Sequence, residues 1–97
     1  MKAAREQLVE AIRRAIERYN AYRAPEARAE MVSLDRRELV VRISGSFTET
    51  CGVNDWIEDL VYTLEDEGVK ARIVRIIEPE NPLDLGWERT VILEIDG

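Results

Sequence analysis

The chain has 97 residues, 45% of them hydrophobic and 35% charged, a size and balance that fit one globular domain and exclude a disordered polypeptide. Its net charge of -6 argues against a dedicated nucleic-acid binder, whose affinity rests on neutralising phosphates. The absence of histidine excludes Cys–His and Ser–His nucleophilic catalysis, and a single cysteine excludes an intrachain disulfide and any Cys-x-x-Cys motif.

The charge is unevenly distributed. Residues 1–48 carry 10 Lys/Arg against 7 Asp/Glu, whereas residues 49–97 carry 4 against 13, so a net of +3 faces a net of -9. The expectation is that folding brings the basic half onto the acidic one. The N-terminus, Met1-Lys2-Ala3-Ala4-Arg5-Glu6, has charges where a signal peptide needs an apolar run, and no stretch approaches a membrane span. A cytoplasmic location and no membrane partner are therefore expected. Arginine outnumbers lysine 12 to 2 and Asn and Gln together number four, which hints at a thermophilic source, although lysine and glutamate enrichment is the broader thermophile signal.

In chain order, residues 3–22 read as a helix, because Leu8, Ile12, Ala15, Ile16 and Tyr19 fall on one stripe. Glu10 with Arg14 and Arg13 with Glu17 are i,i+4 pairs on its wet side. Pro25 stops the pattern, since the residue before a proline disfavours the α conformation. Residues 27–34 form a moderate strand and Asp35-Arg36-Arg37-Glu38 a polar turn. Residues 39–44 form a better strand, with Leu39, Val41 and Ile43 on one face. A second helix over about 53–67 repeats the stripe with Val53, Ile57, Leu60, Val61 and Leu64, and Gly68 ends it as a C′ glycine. Residues 69–78 are a third strand interrupted by Lys70, Arg72 and Arg75. After a loop over 79–86, residues 87–95 are a fourth, with Val91, Leu93 and Ile95 facing in.

The order is α-β-β-α-β-β. Moving the last strand to the front produces β-α-β-β-α-β, so the layout resembles a circularly permuted ferredoxin-like sandwich. That resemblance implies an α+β, two-layer fold in which a four-stranded antiparallel sheet, ordered 3-4-2-1, carries both helices on one face. The charges agree, because the clean apolar alternators become central and the charged first and third strands become the edges. A likeness of topology alone licenses no function.

The stretch from Ser44 to Trp56 collects the unusual residues: the cysteine, the phenylalanine, a tryptophan and several hydroxyls between two glycines. Ser46, Thr48, Thr50, Cys51 and Asn54 are the candidate ligand-binding set, because hydroxyls and backbone amides at a helix start can hold an anion. Helix capping by Thr50, Gly52 or Asn54 accounts for the same residues. Asp55, Glu58 and Asp59 also complement the positive helix end and would repel a phosphate. Cys51 has Glu49 and Asp55 nearby, which oppose a thiolate, and with Gly52 as N-cap it takes the N′ place of a hydrophobic staple with Trp56 at N4.

Asp55 and Asp59, spaced i,i+4 with Glu58 or Glu49 near, offer oxygen ligands, but they also read as the solvated side of an amphipathic helix. No metal site, no cofactor motif and no catalytic residue is assigned. The 79–86 loop with Trp87 reads either as a recognition loop or as Leu83, Leu85 and Trp87 folding back on the core.

The sheet face turned away from the helices is the other candidate. Simple alternation places Val40, Arg42, Val74, Ile76 and Ile92 there as a candidate interface, with Thr90 among them and Arg72, Glu88 and Glu94 around them. A sheet covered on one side should alternate more strictly, so an apolar patch with a polar rim points to a partner, foremost a second copy of the chain. Scattered surface valine and isoleucine stabilised by cross-strand packing is the competing account. The expectation is a small non-catalytic interaction domain forming a homodimer, with another protein partner or a ligand or thiol function at Ser46–Cys51 as alternatives.

Overall fold

A computed structural model describes residues 4–46, 52–78 and 88–96. Helix α1 spans Ala4–Arg23, strand β1 Arg28–Asp35, β2 Glu38–Ser44, helix α2 Val53–Asp66, β3 Ala71–Ile77 and β4 Glu88–Ile95. The four strands form one antiparallel sheet in the order β1-β2-β4-β3, which is the expected 3-4-2-1 order read from the other edge. Two helices flank this sheet, making the α+β sandwich of permuted ferredoxin-like topology.

Alternation decides which face the helices take. Leu39, Val41 and Ile43 of β2 pair with Leu93, Val91 and Arg89 of β4, and the apolar members are fully buried. Against them lie Ile12, Ala15, Ile16 and Tyr19 of α1 and Ile57, Leu60 and Leu64 of α2, forming one core cluster. The central strands and the two helix stripes thus bury one another, as the spacing predicts. Burial pushes the Tyr19 phenol up to about 12, so it stays a donor, and it donates to the Trp56 carbonyl at 2.8 Å.

The helices are also joined by charge. Arg14 and Arg18 of α1 reach Glu67, just past α2, at 3.0 and 2.9 Å. Arg23 pairs with Asp59 and stands 4.9 Å from the centroid of the Trp56 ring. The basic half thereby meets the acidic half, as the uneven charge requires. On the wet side of α1, Arg13 pairs with both Glu10 and Glu17.

Local chemistry sets the ends. Gly68 has φ 87° and its N–H donates to Glu65, while that of Val69 donates to Leu64, which is a Schellman ending with glycine at C′. Asn20 clasps β1 by accepting from the Ala29 N–H at 2.6 Å and donating to its carbonyl at 3.0 Å. The β1–β2 turn puts Arg36 at φ 56°, and Arg5 holds it by donating to the carbonyls of Leu34 and Arg36. Gly45 has φ 133°, and a Cβ there would run into the Glu26 carbonyl, so the exit from β2 needs glycine on both counts.

Each edge strand carries one extra residue. The register of β1 on β2 skips Val32, and that of β3 on β4 skips Val74. Each bulge reverses the alternation beyond it, because two successive residues then oppose one partner. Bulges on both edges, together with charged side chains there, discourage edge-to-edge pairing.

Candidate functional site

Among the described residues, no element packs on the face opposite the helices. Its layout follows from the register. One row runs from Val32 and Ser33 through Val40 and Ile92 to Val74 and Arg75, crossing all four strands. Val32 is 47% and Val74 49% exposed, and Val40 and Ile92 are half-buried between them. This row is an apolar strip with polar rows on either side.

Towards the Ser44 end of β2, Arg42 bonds Glu30 at 3.1 Å and lies 3.6 Å from Glu88. Thr90 and Ile77 complete that row. Towards the β1–β2 turn, Glu38 lies directly opposite Glu94, which is held by Arg72 at 2.7 Å. Asp35 pairs in register with Glu38, so three carboxylates share that end with Arg72. A shallow depression of about 360 Å³ opens there, lined by Asp35, Glu38 and Glu94, by Arg36 and Arg37, and by apolar Val74 and Ile92.

Four of the five residues expected on this face are on it: Val40, Arg42, Val74 and Ile92. Ile76 is the exception. The bulge at Val74 puts Ile76 opposite Val91, in the helix-facing row, where at the sheet margin it remains 38% exposed. The same bulge brings Arg75 and Ile77 to the open face, where strict alternation would not put them. The bulge at Val32 likewise brings Ser33 to the open face and turns Leu34 to the helix side. A bulge adds one residue without changing composition, so nothing in the apolar pattern marked either of them.

The helix-start candidate divides. Ser46 follows the end of β2 and is half-buried, and Asn54 lies exposed in the first turn of α2. Gly52 is the N-cap, and its carbonyl accepts from Asp55 and Trp56. Thr48, Thr50 and Cys51 lie outside the described residues, as do Phe47 and Glu49 and the loop from 79 to 87 with Trp87. Trp56, at the N4 position, packs on the core margin. Asp59 is engaged by Arg23, and among the described residues no three Asp, Glu, Cys or His side chains converge on a point that could hold a metal ion. No described helix is long and apolar enough to cross a membrane.

Comparison with protein-family models, with curated proteins and with solved structures yields no match for this chain.

Proposed function

We propose that this is a non-catalytic interaction domain that pairs with a second copy of itself through the open face of its sheet. The observation that carries the reading is the strip of Val32, Val40, Ile92 and Val74, which crosses the sheet and is bounded by charged rows. Four apolar side chains in one contiguous row break the polar alternation of a one-sided sheet, as partner surfaces do. The bulged edges favour contact through the face over contact through the margins.

Size supports a modest interface. Strands of seven or eight residues, at about 3.3 Å per residue and about 4.8 Å apart, outline a face of roughly 450 Å² in projection. Two such faces, with the relief of their side chains, reach the lower end of stable interfaces, about 1,200 Å² in total. The pairing is therefore expected to depend on concentration. Light scattering coupled to gel filtration should show a monomer at low concentration giving way to a dimer. Val40→Glu and Ile92→Glu should each abolish the dimer while leaving the circular dichroism spectrum unchanged. A wild-type chain that stays monomeric at high concentration defeats the reading.

A further inference from the structure

The face that would be buried has two ends of different charge, and this selects how two copies meet. A face-to-face pair related by a two-fold axis has that axis in the plane between the sheets, either along the strands or across them. An axis along the strands lays β2 on β4 of the second copy and keeps the rows in step. Glu38 would then face the second copy's Glu94, twice over, at the β1–β2 turn end of both central strands, with Asp35 over Arg72 at the edges. These two carboxylates already oppose each other within one sheet, and Arg72 serves Glu94 alone. Stacking a further pair on them is unfavourable, because like charges brought together at an interface count against that arrangement.

An axis across the strands, running along the Val40–Ile92 row, lays each strand on its own copy and exchanges the rows on either side. The apolar strip still meets itself. Glu38 now faces Arg42 of the second copy, and Glu94 faces a Thr90 hydroxyl able to donate to it. Glu38 has no cation of its own chain within ion-pair distance among the described residues, and it lines the depression at that end. The like-signed neighbours left over, Asp35 against Glu30 and Arg75 against its own counterpart, fall on the two edge strands, where solvent screens them.

We propose that two copies pack with the two-fold axis crossing the strands along the Val40–Ile92 row, Arg42 of each reaching Glu38 of the other at the β1–β2 turn end of the face. This rests on the reading of the sheet face as a self-association surface, and goes beyond it by fixing the orientation and the residues that enforce it. Aligned sheet packing at about 30° keeps the central pairs in place and shifts mainly the edges.

Charge reversal tests it. Glu38→Arg and Arg42→Glu should each weaken dimerisation roughly tenfold, equivalent to about 1.4 kcal/mol. The double variant should recover most of the loss, because reversing both charges restores opposite signs across the interface. Glu38→Arg is the more informative single change, since it removes a like-charge opposition from the monomer and so does not endanger the fold. If Glu38→Arg tightens the dimer, the axis runs along the strands and the proposal is overturned. A double variant as weak as the two single losses combined also overturns it, while leaving self-association through this face standing. A monomeric wild-type protein removes both.

Discussion

The same four strands present two faces that differ in how they are finished. On the helix-covered face, Leu39, Val41, Ile43, Val91 and Leu93 have no exposed surface, and helix stripes seal them. On the other face, Val40 and Ile92 are neighbours of those residues in sequence, yet they stop at half-burial beside Val32 and Val74. The polar rows of Glu38, Arg42, Thr90 and Glu94 mark the open face, but Val40 and Ile92 are as hydrophobic as their buried neighbours. What distinguishes them is cover. On the proposed reading, a second copy of the chain supplies the cover that the helices supply on the other side.

Truncation separates the faces most sharply. Leu93→Ala removes a fully buried side chain from the core and should cost about 2–5 kcal/mol, combining lost transfer energy with the cavity left behind. Ile92→Ala, one residue away, should cost the isolated chain about 1 kcal/mol. Urea denaturation under dilute, monomeric conditions measures both. At concentrations where the dimer forms, the cost of Ile92→Ala should rise and that of Leu93→Ala should not, because only Ile92 loses a contact made on association. Equal costs at both positions under dilute conditions would mean that the open face is packed within one chain.

Next in expected size is Gly45→Ala, which probes the exit from the central strand towards α2. A methyl group there meets the Glu26 carbonyl, and the φ of 133° is hostile to any L-residue. Between about 1 and 3 kcal/mol of stability should be lost, although no hydrophobic contact is removed. A neutral substitution would show that the approach of the Pro25–Ala27 segment to β2 is loose.

The legible part of the fold is the part written in periodicity. The stripe through Ile12, Ile16 and Tyr19, the alternation of Leu39, Val41 and Ile43, and Gly68 at the end of α2 each have one local cause, and all stand where the spacing puts them. Charged edges then select the strand order. The bulges at Val32 and Val74 were not legible, because one extra residue changes neither composition nor local propensity, yet it moved Ile76 off the open face and brought Arg75 and Ile77 onto it. Asn20 on Ala29, Arg5 on the β1–β2 turn and Gly45 against Glu26 were equally hidden. Each depends on a neighbour distant in the chain, so it exists only once the layers have docked.

Charge shows the two sides of the molecule from a third direction, and here the expected effect is smallest. On the helix side the uneven charge is consumed within the chain. Hydrogen bonds from Arg18 first, and then Arg14, hold the Glu67 carboxyl below its ordinary value. A carboxyl depressed in the folded state adds stability that is complete above its unfolded pKa and is lost as pH falls through the lower folded value. Wild type should therefore exceed Glu67→Gln in stability at neutral pH, and the two should converge as acid protonates Glu67. Added salt should narrow the gap at neutral pH, because the pairs lie at the surface. A gap for Glu67→Gln that persists into acid would mean its contribution is packing between the helices, with the ion pairs incidental.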